Sequence, residues 1–199
     1  MPLESEVDQL IATMGKKHAT YLQGLKELGC RAGELWQLTW DNLDFERKVA
    51  TIAPEKNSNP RQLRMSSKLV AMLNSLPRTG NCVFGSGDLD DFARWFYMKR
   101  MQLAKKLQNP RIRKIGFKTL RHFKASMLYH STKDILLVMR TLGHKDIRNT
   151  LVYTHLIDLV DDDFVCKTAK TLEEASKLIE AGFDYVTELD GIKLFRRRK

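Results

Sequence analysis

Six residues of this chain carry groups that can attack, bind or protonate a phosphate: Arg31, Lys56, Lys118, Arg121, His144 and Tyr153. Lys118 and Arg121 stand three apart, so on a helix they share one face. Arg presents a planar fork of donors and Lys a compact charge, and both can close on the same phosphate. His144 follows Arg121 by 23 residues, and Tyr153 follows His144 by nine. Tyr153 is the potential nucleophile. A free phenol has a pKa of about 10, so it attacks poorly at neutral pH until its proton is removed or cations hold its oxygen. One nucleophile and five phosphate-directed groups can cut and reseal a nucleic-acid backbone without metal or cofactor, and neither is expected here.

Taken singly, each residue has a plainer reading. Lys118 and Arg121 suit a basic exposed helix. Arg31, in CRAGEL, suits an ion pair with Glu34. Lys56, at a hairpin tip, suits a solvated turn. His144, in LGHKD, suits a helix cap, and Tyr153, among Leu151, Val152 and Leu156, suits a core position. Their joint order and spacing favour the chemical reading.

The composition supports an anionic partner. The 199 residues hold 34 Lys+Arg against 24 Asp+Glu, a net charge of +10, with pI about 9.6. Such an excess points to a polyanion or an anionic membrane surface. From Phe92 to Lys133 there is no acidic residue, and twelve cations fall there. Lys105, Lys106, Arg111, Arg113 and Lys114 lie in the part of this run that precedes KTLRH, and with His122 they are candidate DNA contacts. Cys30, Cys82 and Cys166 are odd in number and lack CxxC spacing, so reduced thiols in an intracellular protein are expected, neither a zinc site nor a disulfide framework. No apolar run approaches the roughly 20 residues of a bilayer span. MPLESEVDQL lacks the cationic start of a signal peptide. A membrane role is not expected; a cytoplasmic, nucleoid-associated protein is.

The elements that must position these groups read as mostly helical. Apolar spacing from Val7 to Leu28 predicts a helix over residues 4–28, stopped by Gly29. A short helix begins within Arg31–Leu38. VATIAP and RQLRM flank the KNSNP turn as a hairpin. Helices are expected at Ser66–Leu73, Leu89–Leu107, Lys118–Tyr129, Lys133–Leu142 and Ile147–Tyr153, with a basic loop at Gln108–Gly116. Residues 156–164 are acidic and suit the start of a linker. TLEE (Thr171–Glu174) is a capping box for a last helix, and FDYVTEL, Asp190-Gly191 and IKLFRRR read as a terminal hairpin.

CRAGELWQLTWDNLD, EKNSNPRQLRMSS, KTLRHFKASML and LGHKDIRNTLVYTH together resemble the catalytic domain of the tyrosine recombinases, most closely those of archaea and archaeal viruses. The similarity covers most of residues 4–156. It implies an α+β, mainly helical catalytic fold over residues 1–160, a helix–hairpin extension over 161–199, and no N-terminal DNA-clamping domain. It also implies roles. Tyr153 would form a 3′-phosphotyrosyl bond, conserving backbone bond energy so that rejoining needs no ATP. Arg31, Lys118 and Arg121 would hold the nonbridging oxygens, His144 would bond the same phosphate, and Lys56 would protonate the departing 5′-oxygen. Glu34 would orient Arg31. The family usually carries His where this chain has Lys118, so that position is read as an electrostatic clamp. The resemblance implies a site-specific recombinase or integrase of a mobile element acting on double-stranded DNA, monomeric when free and tetrameric on DNA. The C-terminal extension would either pack in cis or exchange between protomers. Two rivals stay open: a nicking–closing enzyme like the type IB topoisomerases, and a non-catalytic DNA-binding protein on the same fold.

Overall fold

The computed structural model describes residues 1–55, 58–153, 164–189 and 191–198. It is α+β and mainly helical, and it divides into two compact units, Met1–Leu156 and Ile157–Lys199.

The first unit opens with α1 (Glu4–Ala12) and α2 (Lys16–Leu28). The expected single helix is broken. The Thr13 hydroxyl donates back to the Leu10 carbonyl (2.9 Å), and Gly15, in an extended conformation, caps a new helix. Periodicity ran through the break because both helices bury the same apolar kind of face. Then come α3 (Ala32–Trp36) and a three-stranded antiparallel sheet, β1 (Leu43–Asp44), β2 (Val49–Ile52) and β3 (Arg61–Arg64), in that spatial order. In β2, Ala50 and Ile52 point into the core while Thr51 is exposed. Strands β2 and β3 pair as expected, with Ile52 opposite Arg61; the candidate Lys56 lies outside the described residues. β1 is too short to have shown as a strand in the sequence.

Helix α4 (Ser67–Asn74) starts where the Ser66 side chain accepts from the Leu69 N–H. Helix α5 (Leu89–Lys106) is followed by a 3-10 turn at Pro110–Lys114, where a basic loop was expected. Then follow α6 (Phe117–Thr132), α7 (Ile135–Leu142) and the four-residue α8 (Arg148–Leu151). The main core gathers Leu10, Leu22, Leu25, Leu35, Leu69, Leu73, Phe84, Phe96, Ile112 and Leu120. Tyr21 is buried among Phe84, Phe92 and Phe117, and its hydroxyl is satisfied by the Ala32 carbonyl at 2.7 Å.

The second unit contains β4 (Phe164–Ala169), α9 (Leu172–Glu180), β5 (Asp184–Leu189) and β6 (Ile192–Arg198). The Thr171 hydroxyl accepts from the Glu174 N–H (3.2 Å), as TLEE predicts. The expected hairpin is the pair β5–β6. The sheet has a third strand, however, in the order β4-β6-β5. Phe164, read from the sequence as part of the start of a linker, and its successors instead pair with β6. Ala169, Ala175, Phe183 and Phe195 form its small core. Residues 156–163, the acidic stretch, lie outside the described residues. No described helix is long and apolar enough to cross a membrane.

Candidate active site

Two helix ends converge on one guanidinium. Helix α2 stops at Gly29 (φ 62°) and α7 at Gly143 (φ 72°), both left-handed conformations that glycine adopts without a Cβ penalty. Each end presents carbonyls with no helical partner and the negative end of a helix dipole. Arg121, on the first turns of α6 and only 8% exposed, answers both. Its Nη1 donates to the Gly29 carbonyl (2.7 Å) and its Nη2 to the Leu142 carbonyl (2.9 Å). Nη2 also lies 3.0 Å from His144 Nε2.

That contact sets the histidine's tautomer. Arg can only donate, so Nε2 accepts and the proton sits on Nδ1, which donates to the Thr150 hydroxyl at 2.9 Å. Burial first, then the charges of Arg121, Arg31 and Arg61, push the imidazole down to about 4. His144 is therefore neutral at physiological pH.

Arg31 reaches the same place from α3. It is the N-cap residue, and its backbone N–H donates to Glu34 Oε2 (2.7 Å). Its Nη1 donates to Glu34 Oε1 (3.3 Å) and to the Glu55 carbonyl (3.1 Å). The Arg31 side chain is still 29% exposed, so a phosphate can reach it. Glu34 is buried and forms the floor. It accepts from Ser58 Oγ (2.6 Å) and from both terminal nitrogens of Arg61 (3.2 and 2.7 Å), and lies 3.9 Å from Arg121 Nη1. Burial alone would raise its carboxyl. The bonds from Arg61, Ser58 and the Arg31 backbone outweigh burial and hold it at about 2. A permanent negative charge thus sits among Arg31, Arg61 and Arg121, relieving repulsion between cations that converge on one spot.

Tyr153 follows α8 by two residues and is 2% exposed. Its ring packs with Ala125, Val138 and Leu142 in a small satellite core, 5.5 Å from the His122 ring. Burial raises its phenol, with the Arg121 charge opposing. In this conformation the hydroxyl is sheltered from bulky ligands.

Lys118 is exposed one turn before Arg121. It acts with burial and Arg121 to lower the His122 imidazole. Lys56 lies outside the described residues. Its flanks are tied to the site: the Glu55 carbonyl accepts from Arg31, Ser58 donates to Glu34, and the Asn59 N–H donates to the Gly143 carbonyl (2.9 Å). The candidate DNA contacts Lys105, Lys106, Arg111, Arg113 and Lys114 are all exposed. Arg111, however, pairs with Glu6 of α1 (3.2 Å) and donates to the Met1 carbonyl.

The structure therefore brings Arg31, Arg121 and His144 together and adds Arg61, Ser58 and Thr150, to which the sequence assigned no role. Nothing local distinguishes these three: an Arg opening a strand and a Ser in a turn are common. Only their distance to Glu34 and His144 marks them. A groove of about 660 Å³, lined by Asn59, Arg61, Asp134, Met139, Arg140 and His144 among others, opens beside the cluster.

A cluster of guanidinium groups of this kind can hold a tetrahedral anion. Residues 3–159 match the Phage integrase family. Tyrosine recombinase XerC of Xanthomonas campestris pv. campestris is 29% identical over 154 residues, which are 73% of this chain and 46% of that protein. The chain thus spans about half the length of such relatives. The crystal structure of XerA recombinase is 25% identical, with a TM-score of 0.65 over 79% of this chain and 62% of that one. The Tn1549 transposon integrase in complex with transposon right end DNA is 17% identical, with a TM-score of 0.68 over 91% of this chain and 65% of that one, a likeness of fold. The match over most of the first unit, the shared fold, and Arg31, Arg121, His144 and Tyr153 in one order agree: this chain belongs to the phage integrase family.

Proposed function

We propose that this chain cleaves and rejoins double-stranded DNA as a site-specific tyrosine recombinase, through a 3′-phosphotyrosyl intermediate. The observation that carries the reading is the Arg121–His144 contact at 3.0 Å, joined through buried Glu34 to Arg31. Arg31 and Arg121 bind the nonbridging oxygens, each contact contributing about 2–4 kcal/mol to the transition state. Lys118, exposed on the same helix, adds a third charge. The His144 Nε2 lone pair, held by Arg121, lets the imidazole take or share a proton at the reacting phosphate once that bond is exchanged. Lys56 protonates the leaving 5′-oxygen.

Tyr153 must leave its packed site to reach the phosphate. The resting burial of its ring raises the phenol and keeps the nucleophile idle, and DNA binding draws it toward the guanidinium that already opposes that rise. DNA is the partner of the integrase that shares the fold, and assembly of four protomers on paired sites is part of this reading. So are residues 1–160 as the catalytic domain with 161–199 as an extension, a nucleoid-associated location, and an archaeal mobile element as the source.

The test is incubation with nicked suicide duplexes followed by denaturing gels. A covalent adduct is expected with the natural chain. Tyr153→Phe should form none while binding DNA almost as well, since one hydroxyl is lost. An adduct formed by Tyr153→Phe at the normal rate would remove Tyr153 as the nucleophile.

A further inference from the structure

Arg61 opens β3 directly after Pro60, and its side chain is 6% exposed. Its Nε donates to the Thr141 carbonyl at the end of α7 (2.8 Å). Its Nη2 and Nη1 close on the two oxygens of Glu34 at 2.7 and 3.2 Å, and Nη1 also meets the Asn59 carbonyl at 3.2 Å. These acceptors come from three parts of the chain: the α3 carboxylate, the α7 terminus and its own hairpin. The backbone adds a parallel tie, Asn59 N–H to Gly143 carbonyl at 2.9 Å. A Cβ at Gly143 would stand 2.7 Å from Arg61 Nη1, so the guanidinium lies directly against the turn that leads into His144.

Four of this buried guanidinium's five N–H donors are engaged by protein acceptors, one more than in Arg121, so it is the less well placed of the two to bind DNA itself. It joins the elements that do. Asn59, just before β3, the α7–α8 turn that carries His144, and Glu34, which holds Arg31, all meet at this one group. We propose that Arg61 is a positioning residue, holding Ser58–Asn59 and the His144 turn in register with Arg31 and Arg121. This rests on the phosphate-binding reading of that cluster. Arg suits the task because its planar fork matches a carboxylate while Nε addresses a separate carbonyl. A lysine ammonium cannot satisfy all three directions.

The experiment uses Arg61→Lys and Arg61→Met in the full chain. Three quantities are measured: thermal unfolding, single-turnover adduct formation on nicked duplexes at limiting and saturating DNA, and the His144 imidazole signals by NMR in the free protein. Arg61→Lys should stay folded and keep its DNA affinity. Its saturating rate should fall about 10- to 100-fold, the scale expected when catalytic groups shift by about 1 Å. In Arg61→Met, His144 should titrate above its natural value of about 4, because one of three depressing cations is gone while Arg121, Arg31 and Glu34 remain. If Arg61→Met does not fold, displaced His144 imidazole shifts in Arg61→Lys report the same coupling.

A folded Arg61→Lys that cleaves at the natural rate overturns the proposal, as does one that loses only DNA affinity. If the natural chain itself forms no adduct, the recombinase reading fails separately. The His144 signals need no DNA, and if they do not move in the variants, the coupling is refuted on its own.

Discussion

Arg121 is built into the protein before any ligand arrives. It completes two helix ends and holds His144, so the cation that would meet the phosphate is held in place before binding. Lys56 falls between two anchored neighbours, Glu55 and Ser58–Asn59. If it is the general acid, its loss should matter only when the leaving group needs a proton. Lys56→Ala should cleave ordinary DNA very slowly, yet cleave a bridging 5′-sulfur substrate near the natural rate, since a thiol has a pKa near 8.5, far below that of an alcohol. Arg31→Ala and Arg121→Ala should show no rescue. A Lys56→Ala defect that sulfur leaves untouched would direct the search for the acid to His144.

At the scale of elements, the decisive feature is the glycine that ends α7. Gly143 has φ 72°, and a Cβ there would meet Arg61 Nη1 at 2.7 Å and the Asn59 carbonyl at 3.0 Å. Gly143→Ala should destabilise the first unit by about 1–3 kcal/mol through backbone strain and displacement of Arg61. Denaturant unfolding measures this, and an unchanged midpoint would show that the turn relaxes freely. The basic segment after α5 divides differently from the way its composition reads. Arg111 is engaged by Glu6, whereas Lys105, Lys106, Arg113 and Lys114 are exposed. Each of these four that contacts duplex phosphate should lower the log–log salt slope of binding by about 0.9 when replaced by Ala, and Arg111→Ala should change it least. Slopes unchanged from that of the natural chain in all five variants would place the whole segment away from DNA.

For the whole molecule, the buried Glu34 and two half-buried histidines couple stability to pH. His144 and His18 both sit near 4, mainly through burial. His18 is stacked on Phe92 at 3.7 Å, and its buried Nε2 has no hydrogen-bond partner among the described residues. Unfolded, each returns to the ordinary 6.5. Because the folded values are depressed, the unfolded chain binds more protons below 6.5, so stability present above that pH is lost as pH falls from 6.5 toward 4. Glu34, held at about 2 against an ordinary 4.5, extends the loss from 4.5 downward. Near pH 5 the two histidines should take up about two protons on unfolding. Melting curves over pH 4–8 test this: His18→Phe should flatten the decline between 6.5 and 4, and an equally steep decline would exclude His18 as a source.

The local sequence determined what is local in physical origin. Glycine stops at 29, the Ser66 and Thr171 caps, the VATI alternation and the order Arg31, Arg121, His144, Tyr153 all depend on neighbours within a few residues or on residue type alone. These sufficed for the α+β class, most helices and most of the cluster. The tertiary structure decided what depends on residues far apart in the chain. The break between α1 and α2 is a single turn that apolar spacing crosses unmarked. Strand β4 exists because β6 offers it an edge, nearly thirty residues away by register. Arg61, Ser58 and Thr150 gain their roles only when β3, the residues before it and α8 are brought beside Glu34 and His144. The same holds for Tyr153: its type and position are the basis for proposing it as the nucleophile, while only the fold shows it buried against Val138 and Leu142.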